Sequence, residues 1–281
     1  MSKEGNHHYL PIFYLKQWAG SDEKICEYKR RYHGVLPKRV FPAATGYIRG
    51  LYSIEDTNPE VINAIETKFL MPADGLAAEA LRDLVLDRPF KQPVRMRHSW
   101  TRFVLSLMIR YPEAIAEMKR QLRENVIKMY LATKKEDEPA TFAEYEARHG
   151  TNELARLHGK LMMDLMQDSR MGRFIYNMYW GVIRFSRYKH DLLTSDRPVT
   201  SNVFPLSANH LCLPIGPEHL FIACETEAAE AEFRRINPEH VMQTINDLVA
   251  KRAQSLVYGK DDSQLRFVAN RFGQASATLP F

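Results

Sequence analysis

Cysteine is scarce: Cys26, Cys212 and Cys224 are the only three in 281 residues. None belongs to a Cys-x-x-Cys pair, so neither a disulfide framework nor a zinc set of familiar spacing is written into the chain, and the plainest reading is three free thiols in a reducing compartment. No run approaches the roughly 18 apolar residues of a membrane span. The opening Met1-Ser-Lys-Glu-Gly-Asn-His-His lacks the apolar segment of a secretory signal. The expectation is a cytoplasmic protein with no membrane partner. Also missing are Gly-x-Gly-x-x-Gly, a P-loop, His-Glu-x-x-His and Gly-x-Ser-x-Gly. Their absence counts against ATPase, zincin and α/β-hydrolase chemistry, and no nucleotide cofactor is expected. It leaves open a metal site assembled from distant Asp, Glu and His.

With 45% apolar and 26% charged residues the chain has the balance of a globular protein able to bury a sizeable core. One domain over residues 1–281 is expected, made of an N-terminal β region (1–55), a helical region (58–168) and an α/β region completing the sheet (173–281). The net charge of +5 permits contact with nucleic acid or anionic metabolites without requiring it. Oligomeric state is not legible.

Short aromatic and β-branched runs at His8–Leu15, Lys24–Tyr28 and Tyr47–Ile54 predict a small antiparallel region, with a helical turn through Phe13–Trp18. The Lys29-Arg30-Arg31 run reads first as a solvated edge and second as a phosphate contact. Asn58-Pro59-Glu60 is a helix start, with Asn as cap, Pro at the first helical position and Glu against the positive dipole end. Pro72 should kink or end that helix, and Asp74 restarts it. The stripe Trp100, Phe103, Val104, Leu107, Met108 predicts a helix that breaks at Tyr111-Pro112-Glu113 before another. Phe142–His149 and Asn152–Gln167 read as further helices. From Arg173 to Phe185 β-formers dominate and predict a strand. His210–Ile215 and His219–Cys224 form a hairpin around Gly216-Pro217-Glu218. Glu227–Arg235 is a helix, Asn237-Pro238-Glu239 starts another, and Leu256–Tyr258 and Leu265–Val268 read as extended. The class is α+β: a helical central layer packed on a mixed or antiparallel sheet built from N-terminal and C-terminal strands.

The richest polar stretch is Asp191–Asn202, where an apolar Leu192-Leu193 runs into Thr194, Ser195, Asp196, Arg197 and Pro198, turn chemistry carrying both charge signs. Asp196 suits a metal ligand, a general acid or base, or an Asx turn. His7 and His8 are adjacent imidazoles, and on a strand at most one enters a given pocket. Glu66 lies on the flank of a buried helical face. Arg95, Arg97, Arg102 and Arg110 line the less apolar sides of the Trp100 helix as a candidate anion strip.

Asn6-His-His-Tyr-Leu-Pro-Ile-Phe-Tyr-Leu15, Trp18 and Cys26-Glu-Tyr28, with Leu193-Thr-Ser-Asp-Arg-Pro-Val199 and Pro205-Leu-Ser207, resemble a large bacterial family known only as domain of unknown function number 4238. The order and spacing match over nearly the whole chain. The resemblance implies no reaction, but marks His7, His8, Pro11, Thr194, Ser195, Asp196 and Pro198 as signature positions, so that His8 and Asp196 are expected to converge.

Two functions follow. In one, a metal-dependent phosphodiesterase, a nuclease linked to defence or mobile elements, uses Mg or Mn on His8, Glu66 and Asp196. His7, His8, Asp196 and Arg197 are its catalytic set, while Arg102 and Ser195 bind a nucleic-acid substrate. In the other, a non-enzymatic module recognises an anionic ligand or phage component through the same polar cluster. Full burial of that cluster in internal hydrogen bonds would indicate a third role, pinning the sheet.

Overall fold

The computed structural model describes residues 5–52, 70–149, 157, 160–161, 164, 170–185, 188 and 190–275. The helix start at Asn58, Glu66 and most of Asn152–Gln167 lie outside them. The described residues form an α+β structure of antiparallel sheets and helices, and none of their helices is long and apolar enough to cross a membrane.

The chain begins with β1 (Asn6–His8), then α1 (Ile12–Leu15), which tightens into a 3₁₀ turn through Trp18. Pro11 starts this helix from an extended conformation that its ring favours (φ −61°, ψ 141°). β2 (Ile25–Arg31) and β3 (Gly34–Val40) form a hairpin, and β4 (Tyr47–Arg49) returns to pair with β1.

The helical layer contains α2 (Met71–Val85), α3 (Pro93–Ile109), α4 (Pro112–Thr133), α5 (Phe142–His149) and α6 (Arg170–Asn177). Next come β5 (Tyr179–Arg184), β6 (Thr194–Ser195), β7 (Thr200–Ser201), β8 (His210–Gly216) and β9 (His219–Cys224). α7 (Glu227–Arg235), α8 (Pro238–Arg252), β10 (Leu256–Gly259) and α9 (Leu265–Ala269) complete the order. α8 starts as its sequence predicts: the Asn237 side chain accepts from the Glu239 and His240 amides, with Pro238 in the first turn.

One sheet has the order β3-β2-β10-β6, so N-terminal and C-terminal strands do share a sheet; another runs β5-β9-β8-β7, and β1-β4 stands as a two-stranded ribbon. Two local expectations change. Residues 173–177 are helical, because Ile175 is drawn into the core where α6 packs on α3; the strand begins only at Tyr179. Leu265–Val268 is helical too, since its three-residue spacing sends Val268 into the core. Pro72 stands in the first turn of α2, and the helix it is expected to kink or end, begun at Asn58, lies outside the described residues.

The core has two large parts. The first joins α1, α2 and α3 to the sheets around Trp18, Trp100, Phe103 and Phe221, with the Trp100 ring edge-on to Phe221 at 5.4 Å. The second lies where α7 and α8 cover Cys212, Ile222 and Val257. A polar seam locks α1 to the first sheet. The Tyr14 hydroxyl donates to the Pro214 carbonyl at 2.8 Å, so Thr194 Oγ1, 2.6 Å away, must be the donor to the Tyr14 oxygen. Trp18 Nε1 donates to the Leu192 carbonyl at 2.7 Å.

Tyr14→Phe keeps the ring but removes the acceptor of Thr194 and the donor to Pro214. It is expected to lower unfolding stability by about 1–2 kcal/mol, read from urea denaturation, with the slope against denaturant unchanged.

Candidate functional site

The stretch from Leu193 to Val199 is held residue by residue. The Leu193 amide donates to Asn246 Oδ1 at 2.8 Å, and Thr194 and Ser195 pair with Tyr258 and Val257 of β10. Ser195 Oγ accepts from the Arg197 amide at 3.1 Å, turning the chain. Asp196 is 4% exposed, and its carboxylate accepts the amides of Gln254, Ser255 and Leu256 at 3.0, 2.6 and 3.0 Å. Its own amide returns a bond to the Leu256 carbonyl at 3.0 Å. Asp196 therefore clamps the turn between α8 and β10. Burial pushes its carboxyl up to about 6, and the three amide donors pull against that shift.

This geometry bears directly on the metal expectation. A carboxylate offers about four lone-pair sites, and three at Asp196 already point at backbone donors. A divalent ion there would have to displace them. Among the described residues, no group of three His, Cys, Asp or Glu side chains is placed to hold a metal ion. The residues present do not fit Mg or Mn at Asp196 and His8; Glu66, the third expected ligand, lies outside the described residues.

The expected partnership of His8 with Asp196 is replaced by another. β1 and β6 belong to different sheets, so the strand ending at Thr194 does not lie beside the one holding His8. His7 is buried, accepts the Tyr52 amide on Nδ1 at 2.9 Å and stacks on the Tyr52 ring at 5.5 Å. His8 is half-buried, with Nε2 directed at the Ala43 carbonyl at 3.4 Å; burial lowers its pKa, which Ala43 partly offsets. Both imidazoles line a different hollow, about 610 Å³, between the β1–α1 segment and the start of α2. Asp74 lines it too, 3.4 Å from the fully buried Arg110, whose Nε donates to the Tyr9 carbonyl.

Tyr9, between the histidines and Pro11, is the member of that run that meets the second motif. Its phenol is pushed well above the ordinary range, first by burial and then by the negative charges of Asp196, Glu113 and Glu27. Nearby, Thr45 Oγ1 donates to Glu27, so the Tyr258 hydroxyl donates to Thr45 at 2.8 Å.

Arg197 closes the cluster. It is 6% exposed, its guanidinium carbon lies 4.4 Å from the centre of the Tyr111 ring, and its Nη2 is 3.6 Å from Glu113 Oε2. Its buried Nε has no hydrogen-bond partner. A second cation stands beside it: Arg252, half-buried, donates from Nη1 to the Val199 carbonyl at 2.9 Å, and burial followed by the charge of Arg197 lowers its pKa. Glu113 is exposed at the lip.

Thus Asp196, Arg197 and Ser195 come together as a unit, whereas His7 and His8 do not join them. Arg102 is half-buried on α3 and nothing ties it to this cluster among the described residues. Arg97 is spent on the Tyr176 carbonyl and the Trp180 ring. Sequence reasoning passed over Tyr9, Tyr111, Glu113 and Arg252. Tyr9 stood inside a motif and offered a signal. Tyr111 and Glu113 looked only like a helix break, and Arg252 only like a helix end. The three cysteines are buried and unbridged, and burial pushes the thiols of Cys26 and Cys224 up to about 11, leaving them weak nucleophiles at neutral pH.

Residues 6–263 match the model of one family, described as "Protein of unknown function (DUF4238)". No curated protein and no solved structure matches the chain.

Asp196→Ala strands three backbone donors and is expected to cost about 3 kcal/mol at neutral pH, measured by denaturant unfolding. Asp196→Asn supplies the pH control. Because the folded pKa, about 6, is raised above the ordinary carboxylate value of 3.8, Asp196 contributes most below the unfolded pKa, and that contribution fades as pH rises through 6. Relative to Asp196→Asn, the wild type should therefore lose on the order of 2 kcal/mol between pH 4.5 and pH 7.5. A pH-independent difference would contradict the assignment.

Proposed function

The chain belongs to the DUF4238 family over nearly its whole length, and we propose that it acts as a binding module that recognises a phosphate-bearing anion at the Arg197–Arg252 pair. One observation carries this reading. Arg197 is a buried guanidinium whose Nε lacks a partner and whose nearest carboxylate, Glu113, stands at 3.6 Å, with a second guanidinium alongside. Two cations sharing one exposed carboxylate keep an excess of positive charge, and an anion bound there would satisfy the unpartnered donor. The planar fork of arginine suits phosphate oxygens in particular.

The surroundings support the same reading. Tyr111 holds the Arg197 plane by its ring face, so the fork is oriented before a ligand arrives. Asp196 is turned to the backbone instead of neutralising its neighbour. Glu113 at the lip is the group an incoming anion would displace. Metal-dependent hydrolysis finds less support, since it asks for free carboxylates and Asp196 is committed to three amides.

Titration calorimetry with inorganic phosphate and pyrophosphate tests the proposal. Wild type is expected to bind, with pyrophosphate the tighter ligand. Arg197→Lys keeps the charge but loses the planar fork and its ring contact, and should weaken binding at least tenfold, about 1.4 kcal/mol. Glu113→Gln should tighten it severalfold. Absence of heat from wild type at millimolar ligand, or a lysine variant that binds equally well, would sink the idea. No cleavage of DNA or RNA is expected with Mg²⁺ or Mn²⁺; turnover abolished by Arg197→Lys would make the protein an enzyme instead.

A further inference from the structure

The longest unbroken run of cations in the chain, Lys29-Arg30-Arg31, lies on the β2–β3 hairpin, with Lys38 and Arg39 on the return strand. Register sorts these five by face. Glu27 stands opposite Lys38, Lys29 opposite Leu36 and Arg31 opposite Gly34, so Lys29, Arg31 and Lys38 share one side, while Arg30 and Arg39 share the other. The second side is occupied. Arg30 packs over the Phe272 ring and donates to the Phe272 carbonyl, and Arg39 pairs with Asp22.

The first side is not. The side chains of Lys29, Arg31 and Lys38 make no hydrogen bond or ion pair among the described residues, and the carboxylate of the hairpin on their face, Glu27, is engaged by Thr45. At the tip Tyr32 is 98% exposed, supported edge-on by His33 at 5.0 Å. Across β10 the same side turns into the core, where Leu256 and Tyr258, opposite Lys29 and Glu27, are buried, so the open face belongs to the hairpin alone.

We infer that this hairpin face binds single-stranded nucleic acid, with Lys29, Arg31 and Lys38 on successive phosphates and Tyr32 stacked on a base. The inference goes beyond the anion reading at Arg197 and stands on the hairpin's own residues. Charge complementarity selects a polyanion. Residues two apart on a strand are about 7 Å apart, on the scale of the phosphate repeat of an extended single strand. A free-standing aromatic ring needs an unstacked base, which favours a single strand over a duplex. No Asn or Gln lies between Ile25 and Val40 to read base edges, so little sequence preference follows.

Fluorescence anisotropy of the full chain with a labelled mixed-sequence 15-mer of DNA and of RNA, across a salt series, tests this. Wild type should bind, more weakly as salt rises. Combining Lys29→Ala, Arg31→Ala and Lys38→Ala should flatten the log–log salt slope by about 2, from roughly 0.7 per cation lost. Tyr32→Ala should weaken binding about tenfold and Tyr32→Phe should restore it. Arg31, Tyr32 and Lys38 are exposed and Lys29 half-buried, so unchanged thermal unfolding is the check that each variant keeps the fold. Binding that ignores both the triple variant and Tyr32→Ala overturns the inference, as does equal affinity for polyglutamate of similar length or for phosphatidylserine vesicles. Pyrophosphate titration separates the two proposals. If it persists while the oligonucleotide ignores the hairpin variants, only the hairpin assignment falls. If wild type binds no pyrophosphate, the anion reading falls and the triple variant's salt slope decides the hairpin by itself.

Discussion

The fold turns on one buried carboxylate. Asp196 collects three consecutive amides from the turn between α8 and β10 and returns its own amide to Leu256. Without that acceptor the Leu256 amide would lie buried and unpaired, and the part-buried amides of Gln254 and Ser255 would lose their partner. The clamp sets where β10 begins. β10 in turn holds the middle of the sheet that joins the N-terminal hairpin to β6. A single side chain thereby helps join the N-terminal hairpin to the stretch around Thr194.

The same clamp explains how a cation pair is tolerated. With Asp196 turned toward backbone, Arg197 is left to the face of Tyr111 and an ion pair with the exposed Glu113, and Arg252 is kept nearby by the Val199 carbonyl. Serine, aspartate, arginine and the carbonyl after the proline each serve a different neighbour. Buried like charges are costly, and they persist where the surrounding packing over-determines them. Here Tyr111 and Glu113 sit at the break between α3 and α4, so the helical layer supplies the aromatic platform and the sheet supplies the guanidinium.

The two polar motifs meet, but through different side chains than their chemistry advertises. Histidine suggests catalysis, yet His7 is a stacked, hydrogen-bonded residue of the β1–β4 ribbon and His8 opens onto a separate hollow. The work of joining falls to aromatic residues after them. Tyr9 faces the carboxylates, Tyr14 takes the hydroxyl of Thr194, and Trp18 takes the carbonyl of Leu192. Aromatic side chains do this well because each pairs a large apolar body with one polar atom at its rim.

Much of the local structure was determined by sequence alone. Asn237-Pro238 starts α8, the Trp100 stripe runs through α3, Tyr111-Pro112 ends one helix and begins another, and the hairpin around Gly216 pairs as its two apolar runs require. Each rests on nearest neighbours: caps, fixed φ and periodicity. The segments at Arg173 and Leu265 went the other way, because short apolar runs fit helix or strand equally and the core chose. The site depended more heavily on what only tertiary structure supplies. Sequence marked Asp196, Arg197 and Ser195, yet nothing in it distinguished a metal ligand from a backbone clamp, since that depends on where the amides of residues 254–256 lie. Arg252, Tyr111 and Glu113 belong to no motif. They matter because three distant segments fold against one turn, and such proximity is a property of the packed chain.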